Sequence, residues 1–282
     1  MSSLWLAPVL FGTGFVAGFV DSIAGGGGLI TVPALLSLGL SPADALGTNK
    51  LQSTFGSASA TWHYARAGVM NLRECKLGLI FTCIGALAGS LMVQFVSQDF
   101  LRRAIPVLLV IIATYTMLRP QFGEKDARPR MKPDWFATTF GLLLGFYDGF
   151  FGPGTGSFWA MACVLLLGQN LLKATGYSKA MNFASNLASL AVFIAGNKVH
   201  YGAGLMMGVG QLTGARLGSR TVIKRGVHFI RPVFIGIVLL LTAKLTSHVY
   251  FHGGRTAWSL NLHFEFGLQP RALDCINTGE LR

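Results

Sequence analysis

Twice in this chain an apolar helical pattern runs into an acidic residue and then breaks on glycine. Gly18-Phe19-Val20-Asp21 leads to Gly25, Gly26, Gly27 and Gly28; Gly145-Phe146-Tyr147-Asp148 leads to Gly152-Pro153-Gly154-Thr155-Gly156. A short apolar segment follows each break, and then a longer one with a lysine inside it, Lys50 or Lys179. This pattern constrains the fold severely. At membrane depth, backbone without regular hydrogen bonding is tolerated only where it is buried in protein or lines a cavity. Interrupted helices made twice in one chain, with ionisable residues beside them, mark transporter substrate sites.

The remainder of the sequence calls for a bilayer. Of 282 residues 52% are hydrophobic and only 12% charged, about half the charged share of an ordinary soluble domain. Several apolar runs approach roughly 20 residues, enough to cross a hydrocarbon core of about 30 Å. The net charge of +12 lies in short loops between these runs rather than in a basic stripe. That distribution fits cytoplasmic loops and argues against a nucleic-acid partner. The expectation is an all-α polytopic membrane protein, whose partners are the lipid bilayer and a small substrate. The N-terminal apolar stretch has no preceding Lys or Arg and is too long for a signal h-region, so it reads as a retained span.

Apolar segments are expected at about 4–23, 29–40, 46–66, 75–96, 102–118, 135–151, 157–168, 172–195, 203–222 and 229–245. The two short ones reach only about 18 Å as helices and read as re-entrant or half-helices. Features recur in the same order after the polar loop at 119–133: Asp21 with Asp148, Gly25 with Gly152, Lys50 with Lys179, Ser53 with Asn182, Ser57 with Asn186. A transporter domain over 1–245 is therefore predicted, built from repeats at about 4–118 and 135–245 and followed by a poorly structured tail at 246–282. If all ten segments change sides, Arg and Lys concentrate on one face; with eight crossings the bias nearly vanishes. The charge bias favours ten segments, which makes the halves inverted.

The candidate site follows from these elements. Glycine breaks at Gly25, Gly26, Gly27, Gly28, Gly152, Gly154 and Gly156 can present backbone N–H groups and the positive end of a helix dipole to an anion. The competing reading is close packing through small residues. Lys50 and Lys179 lie about 12–13 Å along helices starting near Ser41 and Asn170, where a cation must be paired or hydrated unless it snorkels to the interface. Asp21 and Asp148 could neutralise the lysines, carry a coupling proton, or shape the glycine turn. Asn49 and Ser53 share a helical stripe with Lys50, as do Ser178, Asn182 and Asn186 with Lys179; they bind substrate or serve as interhelical polar contacts. His63, His200 and His228 form no zinc pattern, and Cys75, Cys83, Cys163 and Cys275 have no ligand spacing. No metal or other cofactor is expected.

At 18–33, Gly-Phe-Val-Asp-Ser-Ile-Ala-Gly-Gly-Gly-Gly-Leu-Ile-Thr-Val-Pro, and at 145–157, Gly-Phe-Tyr-Asp-Gly-Phe-Phe-Gly-Pro-Gly-Thr-Gly-Ser, the sequence resembles the TauE/SafE sulfite exporter family, in its branch of bacterial inner-membrane permeases. The resemblance covers about residues 5–245 and leaves out the tail from Thr246. It implies a multi-pass plasma-membrane protein that transports sulfur-containing anions, such as sulfite or sulfonates; export is implied by the resemblance alone.

A secondary transporter of small anions, coupled to protons through Asp21 and Asp148, is the leading expectation. A passive anion channel stays open, since duplication alone does not dictate coupling. An intramembrane aspartyl protease fits less well, because the acidic residue follows Gly-x-x rather than Gly-x-Gly and such a mechanism leaves the lysines idle. No catalytic residues are assigned, and no P-loop for direct ATP drive is present.

Overall fold

The computed structural model describes residues 3–118 and 125–225. The expected segment at 229–245, the tail at 246–282, His228 and Cys275 lie outside the described residues. Among the described residues all regular structure is helical: α1 (Ser3–Ala24), α2 (Gly28–Ser37), α3 (Pro42–Arg66), α4 (Lys76–Gln94), α5 (Gln98–Leu118), α6 (Pro133–Phe150), α7 (Thr155–Leu166), α8 (Leu171–Ala195) and α9 (Tyr201–Arg225).

Several helix ends are set by local turns and caps rather than by the ends of apolar runs. Helix α2 stops at Ser37 because Gly39 turns left-handed (φ 86°) and Ser41 caps the next helix. Leu38 and Leu40, apolar like the helix before them, form the turn instead. Helix α5 starts at Gln98, earlier than hydropathy alone predicts, and has Asp99 in its first turn, where a carboxylate favours the helix dipole.

Helices α3 and α8 pack on each other at the centre, with the short helices α2 and α7 against them. On the outside, α4 lies along α6 and α9 lies along α1. Glycines make these two contacts close. A Cβ on Gly145 would stand 2.5 Å from Thr82 O, and one on Gly149 would overlap Ala86; one on Gly14 would overlap Met207 and one on Gly18 Gln211. Small residues let helix backbones approach in this way.

The outer faces are apolar. Ile80, Ile84, Leu87 and Leu91 on α4, and Leu205, Val209, Leu212 and Leu217 on α9, are exposed. Such a belt suits hydrocarbon rather than water. By length and composition, two described helices are apolar enough to cross a membrane, within Leu6–Ala24 and Lys76–Gln94. Helices α3 and α8 have 25 residues each, about 38 Å at the α-helical rise. They carry a polar stripe instead, and they bury it.

The polar loop before α6 is tied to the α7–α8 turn. Ala127 N donates to Gly168 O and Arg130 N to Leu166 O, and Lys173 reaches Asp126 at 2.6 Å.

Candidate functional site

Two helix caps set the position of the lysines. Ser41 Oγ accepts from Asp44 N at 3.3 Å, with Pro42 opening α3. Asn170 Oδ1 accepts from Lys173 N at 3.0 Å and opens α8. Ser/Asn caps of this kind satisfy an N–H that the helix itself cannot. Each lysine then sits nine residues beyond its cap (41 to 50, 170 to 179), roughly 13 Å along the axis. Both are buried within the protein, Lys50 1% and Lys179 0% exposed, so neither snorkels.

A buried ammonium needs a partner, and each finds one across the chain. Lys50 Nζ lies 2.7 Å from Asp148 Oδ1, and Lys179 Nζ lies 3.0 Å from Asp21 Oδ2. The lysine of the N-terminal segment thus holds the aspartate of the C-terminal one, and the converse. Each aspartate is paired with a lysine from the other segment.

The two pairs are not equivalent. Asp148 is sealed: Lys50 also donates to its backbone carbonyl and, at 3.3 Å, to Asn186 Oδ1, while Ser185 Oγ donates to Asp148 Oδ2. Asp21 has a different set. Its Oδ1 accepts from Gly26 N and Gly27 N, both at 3.0 Å, at the start of α2. Asp148 cannot copy this, because the residue five positions on is Pro153 where Asp21 has Gly26, and proline has no N–H. The Asp21 side chain is 20% exposed, against 4% for Asp148.

The glycine breaks touch. Ser157 Oγ lies 2.7 Å from Gly25 O and 2.8 Å from Ala24 O, and Ser178 Oγ donates to Gly156 O at 2.8 Å. Gly25 is left-handed (φ 71°), and a Cβ there would stand 2.6 Å from both Gly156 Cα and Ser157 N. Close packing and cavity lining therefore coexist in the same residues.

Between the breaks lies a cavity with about 20 Å³ of room for the centre of a water-sized sphere, enough for roughly one water. Both breaks line it: Gly26 and Gly28 from one, Gly152, Gly154, Thr155 and Gly156 from the other. Asp21 and Asp148 reach it, as do Asn49, Ser53, Asn182 and Asn186. Gly28 and Gly156 lie in the first turns of α2 and α7, where N–H groups have no intrahelical acceptor. Gly25, Gly27, Ser178 and the two lysines sit behind this lining. Gly27 N serves Asp21, Ser178 serves the break, and the lysines act through their carboxylate partners.

The amides are oriented by their neighbours. Asn49 Oδ1 accepts from Thr31 Oγ1 at 2.6 Å and Gln52 Nε2 at 3.0 Å, and Asn186 Oδ1 accepts from Lys50. With their oxygens engaged, Asn49 and Asn186 have Nδ2 to offer a ligand. Asn182 Nδ2 lies close to Gly156, 2.8 Å from where a Cβ would be. Asn182 Oδ1 is buried without a partner.

Sequence reasoning missed Thr31, Gln52, Thr155 and Ser185. Ser185 lies three residues beyond Asn182 and within the α8 stripe, so helical spacing could have found it. Thr31 had no such signal, because its partner lies on another helix. Ser57, by contrast, turns back to Ser53 O at 2.6 Å within α3. His63 Nδ1 contacts Ser59 O at 2.6 Å within α3, and the backbone N–H of His200 donates to Thr48 Oγ1 at 3.0 Å, tying the turn before α9 to α3; both contacts are structural.

Comparison with known proteins agrees with this architecture. Residues 10–245 match the family model described as "Sulfite exporter TauE/SafE". The chain is 48% identical to the probable membrane transporter protein YfcA of Escherichia coli K12, over 87% of this chain and 91% of the relative. It is 44% identical to a probable membrane transporter protein of Haemophilus influenzae, over 88% of this chain and 97% of the relative. It is 45% identical to the probable membrane transporter protein ORF9 of a Sinorhizobium species, over 86% and 93% respectively. No solved structure matches the chain significantly. With the match running almost from end to end of α1–α9 and beyond, the chain belongs to the sulfite exporter TauE/SafE family.

Proposed function

We propose that this protein is a secondary transporter that carries a small anion, a sulfur oxyanion or organosulfur acid, across the bacterial inner membrane through the cavity between the two glycine breaks. One observation carries the reading: hydrogen-bond donors converge on the cavity from both segments of the chain. Lys179 and the Gly26 and Gly27 N–H groups hold the Asp21 carboxylate at its edge, and Asn49 and Asn186, whose Oδ1 atoms are already engaged, line it with Nδ2 left to donate. Oriented N–H groups at helix starts, backed by a cation, bind anions without any metal. The relatives' names support a membrane transporter, and the family description makes sulfite the first candidate substrate.

Two related, inverted halves rocking about this point would expose the cavity to either side in turn. The cross-chain pairs make such a motion concerted, because moving either segment bears on both lysines. Proton coupling falls to the carboxylates that line the cavity, Asp21 and Asp148, of which Asp21 is the more exposed.

The test is flux in proteoliposomes with sulfite, thiosulfate, methanesulfonate and chloride, comparing wild type with Lys50→Ala and Lys179→Ala. The expected result is wild-type flux of a sulfur anion, reduced at least tenfold in both variants. Unchanged flux in both variants rejects the role given to the lysines.

A further inference from the structure

The seat of Asp21 has the chemistry of an anion site that is already filled. Its carboxylate rests on a buried ammonium, Lys179 Nζ at 3.0 Å, and on two backbone N–H groups at the start of the ten-residue helix α2. These are the donors that an oxyanion would use. The adjoining cavity has room for roughly one water, too little for an oxyanion beside Asp21. Asn182, 6% exposed with Oδ1 unpartnered, lines the same cavity. Something must leave before an anion enters, and Asp21 is the more accessible of the two carboxylates.

We propose that Asp21 is a tethered surrogate for the transported anion, displaced from Lys179 when it takes up a proton, while Asp148 stays fixed to Lys50. This rests on the reading of the cavity as an anion site. The charge balance is closed. Two lysines and two carboxylates sum to zero. A proton from the aqueous side adds one positive charge at Asp21, and a singly charged oxyanion replaces the carboxylate on Lys179 and the Gly26 and Gly27 N–H groups. The sum is again zero, so the anion and its proton cross together without net charge. Asp148 has no such freedom, since Ser185, Lys50 and the main-chain contact of Lys50 hold it in place.

The groups around Asp21 permit this exchange. Helix α8 presents Lys179. Lys50 on α3 is already committed to Asp148 across the cavity. Tyr64 on α3 donates its hydroxyl to Ser22 O at 2.8 Å. Helices α2 and α7 contain no Asp, Glu, Lys, Arg or His. Helix α9 meets this stretch of α1 with Gly214 and Gly218.

A hydrophobic carbodiimide, which reacts with protonated carboxyls, tests the idea on the intact wild-type protein in vesicles. Mass spectrometry should find Asp21 modified at least tenfold more than Asp148. Sulfite should raise labelling at Asp21 by displacing it in its protonated form, and labelling should fall as pH rises. In parallel, sulfite flux, corrected with protein-free vesicles, should be unchanged by a potassium/valinomycin potential in wild type. In Asp21→Asn the residual flux should become potential-sensitive. Equal labelling of the two aspartates, protection of Asp21 by sulfite, or potential-sensitive wild-type flux overturns the proposal while leaving the anion site intact. If no anion of the panel is carried, the functional reading fails first and this inference with it.

Discussion

Replacing Gly25 by alanine tests whether the two glycine breaks bear on each other. Two penalties apply. Gly25 has φ 71°, and a left-handed backbone costs a residue with a Cβ about 1–2 kcal/mol. The new methyl would also stand 2.6 Å from Gly156 Cα and from Ser157 N. These are main-chain atoms that no side-chain rotation can clear, and overpacking of this kind costs about 1–3 kcal/mol. The total is roughly 2–5 kcal/mol. Gly68 separates the terms, because it has the same φ of 71° with nothing within 4 Å of an added Cβ. Gly68→Ala should therefore show the backbone cost alone, about 1–2 kcal/mol. Gly12, in α1 with open space around it, should tolerate alanine or gain about 0.5–1 kcal/mol. The assay is thermal unfolding of detergent-solubilised protein, with anion flux in vesicles beside it. Gly25→Ala should be the least stable of the three and should lose flux. If it unfolds no more readily than Gly68→Ala, the breaks do not touch and the cavity is not built as described.

Other substitutions separate the parts of the site. Lys50→Ala strands a carboxylate that is 4% exposed and should cost about 3–5 kcal/mol, read as a lowered melting temperature. Lys179→Ala leaves Asp21 with two N–H partners and partial access to water, so its stability loss should be clearly smaller; the reverse order would contradict the assignment of roles. Ser157→Ala removes the hydroxyl that joins α7 to Ala24 and Gly25 and should cost about 1 kcal/mol with a larger proportional loss of flux. Outside the bilayer, the hydrogen bond from Lys173, helped by Asn170 N, holds the Asp126 carboxyl below the usual carboxylate range. A lowered folded-state value means the pair contributes above that ordinary range and its contribution disappears as pH falls through the lowered value. Being half exposed, it is worth less than about 1 kcal/mol, so Asp126→Asn should flatten the acid limb of the stability curve only slightly.

Much of this was readable in the sequence, for physical reasons. Ser41-Pro42 and Asn170 announce helix starts because capping is local chemistry, and both caps are in place. The stripe of Asn49, Ser53, Ser178, Asn182 and Asn186 follows from helical spacing, which is also local. Which lysine meets which aspartate was not readable, since the pairings join residues 98 and 158 positions apart and depend on how helices pack. Nor did two similar Asp–Gly patterns announce different roles, although Pro153 holds the clue: one missing N–H turns a helix-start seat into a sealed ion pair. Ser178 shows the limit of stripe reasoning, because it lies on the correct face yet spends its hydroxyl on Gly156 O.

The most direct test of the central claim is to bond the two breaks together. A Cβ built on Gly28 lies 3.4 Å from Pro153 Cβ, close to the separation of about 3.5–4.5 Å that a disulfide spans. In a protein with Cys75, Cys83, Cys163 and Cys275 replaced, Gly28→Cys with Pro153→Cys should form a disulfide under mild oxidation, and reduction should restore whatever anion flux the bond blocks. Two cysteines that stay reduced in the folded protein, each freely labelled by maleimide, would mean that the glycine breaks do not meet around one cavity.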